Sequence, residues 1–284
     1  MTATETKNSK EASRSSADLR AGVGAPGRAR ILARTLRADR WWFQPAITFT
    51  LLSLWVAYAM ARTMSQHAYF VDKYHYLSPF SSPCVTASCT PAARDFGTWF
   101  PHFPPFLPFG LLVLPFLLGF RLTCYYYRKA YYRSFWLSPP ACAVAEPHAR
   151  YTGETRFPLI IQNAHRYFFY VAVIISAVNT YDVVRAFRGG DGGVGMGLGT
   201  IIMIINVVML WTYTISCHSC RNAVGGRLKH FSKHPARYRA WSFISKLNTR
   251  HMELAWTTLA TLMITDAYIG LVAGGVFSDP RLFN

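Results

Sequence analysis

"MGLGTIIMIINVVMLWTYTIS", Met196 to Ser216, runs for 21 residues without a single charged side chain. About 20 mostly apolar residues are what an α-helix needs to cross the hydrocarbon core of a bilayer. Four more runs of this kind flank it: Phe43–Ala61, Phe103–Leu122, Leu159–Val184 and Leu254–Phe277. One such run could be a buried helix of a soluble domain, but five in one chain predict an all-α membrane protein, a bundle of five transmembrane helices. The Phe103–Leu122 run carries Pro104, Pro105, Pro108 and Pro115. It is predicted to begin irregularly and to kink, with neighbouring groups re-satisfying the freed backbone. The whole chain of 284 residues is 51% hydrophobic and 15% charged, yet its formal net charge is +17. That charge lies between the apolar runs, so it points to a membrane surface and not to nucleic acid.

The basic residues also orient the chain. Nine Lys and Arg precede the first run, from Lys7 to Arg40, and two fall between Gln66 and His102. Seven lie from Arg121 to Arg166, two (Arg185 and Arg188) before the fourth run, eight from Arg221 to Arg250, and one (Arg281) in the tail. Because cytoplasmic loops carry the excess of Lys and Arg, this alternation places the N-terminus in the cytoplasm and the C-terminus outside. The chain then divides into a basic cytoplasmic tail over 1–40, partly disordered, and a membrane domain over 41–284. No short apolar segment follows the early charges, so no cleaved signal peptide is expected. The mixed basic and apolar stretch from Arg28 to Trp42 is suited to lie on the inner leaflet.

This topology sorts the cysteines. Cys84 and Cys89 fall in an outer loop, "SSPCVTASCTP", where oxidising conditions favour a structural disulfide. Cys124, Cys142, Cys217 and Cys220 belong to the cytoplasmic side, together with His165, His218 and His251. His165 lies about 9 Å into the third run at 1.5 Å per residue. Four apolar runs therefore bring sulfur or imidazole donors to one depth near the inner leaflet. In "SCHSC", Ser216 to Cys220, the two thiols share a helix face and His218 points about 100° away. All three reach one ion only if the helix unwinds there. A mixture of thiol and imidazole suits zinc or a Rieske-type [2Fe-2S] cluster, in which two His replace two Cys on one iron. Haem b, held between two imidazoles such as His165 with His218 or His251, is the alternative, but it leaves the cysteines without a role.

Directly after Cys124 comes "YYYRKAYYRSFW", Tyr125 to Trp136, in which Arg128, Lys129 and Arg133 interleave with five tyrosines. Aromatic and basic residues are ordinary at the lipid headgroups, where the cations meet lipid phosphate. They also offer stacking faces and donors for a quinone head group, which makes Tyr126, Arg128, Tyr132, Arg133 and Trp136 candidate quinone contacts. Gln162, Asn163, His165 and Arg166 place polar groups in the third run, where they are costly unless they face a site. Asp266, deep in the fifth run, could relay protons or accept a hydrogen bond from Asn206 or Tyr213. Tyr181 and Asp182 read as membrane interface. The glycine-rich 189–199 stretch lacks the Lys and Ser/Thr ending of a phosphate loop and reads as a connector.

Taken together, "CYYYRKAYYRSFW", "PPACAV", "FPLIIQNAHRYFFY", "CHSCRNAVGG" and "KLNTRHMELAW" resemble the single membrane-anchor subunit of the actinobacterial, type F form of succinate dehydrogenase (respiratory complex II). The likeness spans roughly residues 40–277. It implies a plasma-membrane subunit that docks a flavoprotein subunit and an iron–sulfur subunit at its cytoplasmic face. It also implies a Rieske-type [2Fe-2S] cluster in place of haem b, passing electrons to quinone. The ligand pool is then Cys124, Cys142, Cys217, His165, His218 and His251, with Cys220 in reserve. Lipid, and further copies of the complex, are the remaining partners. A small-solute transporter, with Asp266 and Asn206 along its path, is the competing reading, although the five runs show no internal repeat. A purely structural anchor with inert cysteines is the third.

Overall fold

Prolines shape the second apolar run as strongly as its hydrophobicity does. In the computed structural model, which describes residues 40, 42–128, 130, 156–188, 193–226 and 228–283, that run is no continuous membrane helix. Irregular chain over 101–108 leads to a 3₁₀ turn, Phe109–Leu112, and then to a nine-residue helix, α2 (Leu114–Leu122). Pro104, Pro105 and Pro108 remove backbone donors from the start of the run, the part expected to be irregular, and Pro115 is accepted because it sits in the first turn of α2.

Four helices are long and apolar enough to cross a membrane. They are α1 (Phe43–Ser65), the Ile160–Arg188 part of α3 (Arg156–Arg188), α4 (Leu198–Ile215) and α7 (His251–Ala273). Their exposed residues include Leu51 and Leu54 on α1, Ile205 and Val208 on α4, and Ile264 on α7, whereas Thr200, Asn206, Thr258, Thr265 and Asp266 are buried. Apolar groups outside and polar groups inside suit a lipid surround. Helix α7 starts at His251, three residues before the expected boundary. It stops at Ala273 instead of Phe277, because Gly275 at φ +72° turns the chain away.

Two further helices, α5 (His218–Gly225) and α6 (Pro235–Asn248), occupy a basic stretch read from the sequence only as a loop, and they pack on each other. Arg221 lies over the Trp241 ring at 4.9 Å, and a Cβ on Gly225 would come within 2.2 Å of that ring. Close approach is why glycine stands there.

The chain divides into two units. The smaller comprises Met1–Leu54 and Arg128–Ile160, and its described residues include the first half of α1, where Trp42 meets Phe43 edge-on at 6.1 Å. The larger comprises Trp55–Tyr127 and Ile161–Asn284. At its centre α4 packs along α7. One end of this pair carries the outer loop expected from the sequence, which is ordered. Strands β1 (Phe70–Val71) and β2 (Tyr76–Leu77) pair antiparallel, and Cys84 is disulfide-bonded to Cys89 beside Leu77, Ala93 and Phe109. Strands β3 (Met196–Gly197) and β4 (Arg281–Phe283) tie the start of α4 to the tail. There the buried Asp279 accepts hydrogen bonds from Tyr268 Oη (2.6 Å), Tyr76 Oη (2.9 Å) and the Gly199 amide (2.8 Å). Gly197 and Gly199 are therefore not connector residues. A Cβ on Gly197 would fall 1.7 Å from Asp279 Oδ2, and one on Gly199 would fall 2.4 Å from the Tyr76 ring.

Two acids also depart from the sequence reading. Asp182 is buried, 2% exposed, and accepts from Ser82 Oγ at 2.5 Å. Asp266 takes its donors not from Asn206 or Tyr213 but from Tyr58 Oη (2.5 Å), Arg62 Nε (2.6 Å) and Ser78 Oγ (2.5 Å). Its carboxylate closes an ion pair between α1 and α7.

Candidate functional site

At the opposite end of the α4–α7 pair the chain breaks. Helix α4 ends at Ile215, and Cys217 adopts extended backbone (φ −67°, ψ 144°) as the N-cap of α5, its Sγ accepting from the Ser219 amide at 3.3 Å. The unwinding that the "SCHSC" spacing requires is thus present. Cys217 and His218 both face one cavity of about 320 Å³, while Cys220 is not among its lining residues.

The cavity joins Cys124 after α2, His165 of α3, Cys217 and His218 at the α4–α5 break, and His251 opening α7. His165 Nε2 lies 3.1 Å from Cys217 Sγ, and His251 Nε2 lies 3.6 Å from Cys124 Sγ. Cys124, His165, Cys217 and His251 are all buried, and His218 is exposed.

Two hydroxyls set the imidazole tautomers. Thr123 Oγ1 donates its only hydrogen to the Gly119 carbonyl at 2.6 Å, so at 2.8 Å it must accept from His165 Nδ1–H. Ser216 Oγ likewise donates to the Tyr213 carbonyl at 2.8 Å and accepts from His251 Nδ1–H at 2.6 Å. Each ring consequently presents the lone pair of Nε2 to a thiol. Flat neighbours hold the rings in place: Phe120 stacks on His165 at 4.9 Å and 2°, Tyr213 on His251 at 4.9 Å and 11°. Tyr126 lies between His218 (6.5 Å) and His251 (5.7 Å).

Burial pushes the Cys217 thiol up to about 12, even though the Ser219 amide favours the thiolate. It pushes the thiols of Cys124 and Cys220 up as well. Burial lowers His218, with Arg221 acting in the same direction. Burial thus favours the protonated form of the two thiols that face the imidazoles. A metal centre would displace those protons, since the thiolate is the ligating form.

Two thiols and two imidazoles with free lone pairs match the donor set of a Rieske-type centre. Among the described residues no three His, Cys, Asp or Glu side chains stand close enough together to hold a single metal ion. Of the candidates read from the sequence, Tyr126 lines the cavity and Arg128 does not, whereas Cys142, Tyr132, Arg133 and Trp136 lie outside the described residues. Gln162, Asn163 and Arg166 do line it, as their polarity within an apolar run suggested. Thr123, Ser216 and Tyr213 were missed, because a hydroxyl at a helix end has no sequence pattern that tells ring support from capping.

A family model described as "Actinobacterial succinate dehydrogenase subunit SdhC" matches residues 43–275. The chain belongs to this family. It is also similar to a chain of the solved structure "Mycobacterium smegmatis Sdh1 complex in the apo form", with 61% sequence identity and a TM-score of 0.84, over 93% of this chain and 99% of that one. A comparison with curated proteins finds no match. This SdhC-family chain is thus a membrane subunit of succinate dehydrogenase, an oxidoreductase complex, and the match extends over each element that contributes to the cavity.

Proposed function

We propose that this SdhC-family chain anchors the flavoprotein and iron–sulfur subunits of a succinate:quinone oxidoreductase and holds a Rieske-type [2Fe-2S] cluster from which electrons pass to quinone. One observation carries the reading: the Nε2 lone pairs of His165 and His251, held by Thr123 and Ser216, face the buried thiols of Cys217 and Cys124 in a single cavity. Cys124 and Cys217 would supply the two sulfur ligands, and His165 and His251 the two nitrogens. His218 at the mouth and Cys142 are the remaining members of the pool. Bound there, the cluster supplies one-electron chemistry between a docked partner and a lipid-soluble acceptor.

The chain's own residues do the rest. Thr123 and Ser216 fix the ligand rings, Phe120 and Tyr213 exclude water from them, and the thiols give up their protons on loading. Tyr126, Gln162, Asn163 and Arg166 line the same cavity and would meet a quinone head group with a ring face and polar donors. Tyr132, Arg133 and Trp136 join them by sequence alone. Arg128 would meet lipid phosphate or the quinone from the adjoining turn.

The proposed topology has five crossings in the plasma membrane, the second made by the Pro-rich segment with α2, the N-terminus cytoplasmic and the C-terminus outside. The cavity and the disulfide loop lie at opposite ends of the α4–α7 pair, which supports assigning them to opposite faces. The related chain, 61% identical, was solved as part of an Sdh1 complex, which supports the assignment of partners.

Iron and acid-labile sulfide analysis of the purified complex, with electron paramagnetic resonance, tests the reading. A Rieske-type signal in stoichiometric amount is expected. A haem absorption band without that signal would replace the cluster by haem b, and neither would reduce the subunit to an inert anchor. The closed Arg62–Asp266 pair weighs against the transporter reading.

A further inference from the structure

Arg62 and Arg121 both pack among the helices, and only Arg62 has a carboxylate partner among the described residues. Arg62 is neutralised by Asp266, its Nε 2.6 Å from Oδ2. Arg121, at the end of α2, is 5% exposed. One of its terminal nitrogens donates to the hydroxyls of Tyr127 (2.8 Å) and Thr258 (3.2 Å) and to the Ala255 carbonyl (3.3 Å). Its guanidinium faces the rings of Trp55, Tyr127 and Tyr213 at 5.7, 5.8 and 5.2 Å. Among the described residues, no carboxylate pairs with it.

Neutral oxygens and ring faces soften the burial of a cation without cancelling its charge. The charge therefore remains as a field, and the Cys/His pocket lies within its reach. Tyr213 links the two: its ring lies 5.2 Å from the guanidinium carbon and 4.9 Å from the His251 ring, which bounds the Arg121–His251 separation at about 10 Å. Cys124 follows Arg121 by three residues and lines the pocket. If bonding were the only task, a neutral side chain would fill this place at lower cost in a membrane interior.

We propose that Arg121 tunes the redox group of the cavity from a distance, its fixed positive charge favouring the reduced form. The inference rests on the proposed function. Accepting one electron from the iron–sulfur partner adds one negative charge to a thiolate-ligated group, and a cation nearby stabilises that product. A unit charge acting over on the order of 10 Å at an effective dielectric constant of about 20 changes such an equilibrium roughly tenfold. For a one-electron couple, tenfold corresponds to about 59 mV.

Potentiometric titration of the Rieske-type signal in the assembled complex tests this with three variants. Arg121→Gln removes the charge. Thr258→Asp leaves it in place and sets a carboxylate against it. Arg121→Lys keeps a cation without the planar fork. The first two are expected to lower the midpoint potential by a similar amount, and the third to stay closer to the unmodified protein. If Arg121→Gln does not assemble, the other two decide. An unmoved potential in either neutralised variant overturns the inference, as does a fall in Arg121→Lys as large as in Arg121→Gln. Absence of the Rieske-type signal from the unmodified complex rejects the proposed function instead, so the two failures are told apart.

Discussion

His165 Nε2 stands 3.1 Å from Cys217 Sγ, two atoms brought together from positions 52 residues apart. The distance is that of a hydrogen bond to sulfur. Its counterpart sets His251 Nε2 3.6 Å from Cys124 Sγ, so each of these two imidazoles has one thiol partner.

The hydroxyls behind the imidazoles should matter nearly as much as the ligands. Thr123→Val and Ser216→Ala each remove the acceptor that holds one Nδ1–H. Loss of such outer support typically weakens metal affinity by roughly 10- to 100-fold. Each variant is expected to retain less iron and acid-labile sulfide per complex after mild chelation, while succinate oxidation by an artificial acceptor is unchanged. Full retention in both would count against His165 and His251 as ligands.

The Arg62–Asp266 pair is expected to be structural. Leaving one partner of a buried ion pair uncompensated costs about 3–5 kcal/mol. Asp266→Asn and Arg62→Met should each lower the thermal transition of the membrane subunit markedly, and the double variant should recover much of the loss. A double variant that unfolds as far as the two single losses added together would contradict the coupling, because interacting residues are not additive.

At the tail-tethered end, Tyr76 predicts an alkaline limit on stability. Burial and the bond to Asp279 raise its hydroxyl from 10.0 to about 12, against the lowering effect of Thr200. The folded chain holds this proton where the unfolded chain has begun to release it. The stabilisation is complete below pH 10 and is lost as the pH rises through 12. Tyr76→Phe should be less stable near neutrality by about 1–3 kcal/mol, since Asp279 loses a donor, and should show a shallower decline above pH 10. Chemical denaturation at several pH values checks both.

The disulfide belongs to the far end of the bundle from the thiol–imidazole pocket. Cys84→Ser combined with Cys89→Ser is expected to lower thermal stability by about 2–4 kcal/mol at most and to leave quinone reduction per assembled complex unchanged. Loss of turnover at normal iron content would place that loop in the electron path, against the present reading.

Membrane class and the positions of the donors were legible because both are properties of local composition. An uncharged run such as Met196–Ser216 can satisfy its backbone in lipid only as a helix, and its length alone sets where its two ends lie. Sulfur and imidazole at the ends of several such runs must therefore share a depth. The pairing of those donors was not legible. Whether His165 meets Cys217 or Cys124 depends on how four helices rotate and pack, and a straight α4 would have turned Cys217 and His218 onto different faces. The prolines near Phe103 were visible and pointed to an irregular start, whereas the helix that follows them, the nine residues of α2, had bounds that local composition did not reveal. Asp266 shows the same division. Its depth follows from counting along a helix, whereas its partners, Arg62 and Ser78, come from segments some 200 residues away that only the folded chain brings to its carboxylate. Depth is a one-dimensional property of an apolar run in lipid, but lateral neighbours are set by side-chain fit between helices, which no single run encodes.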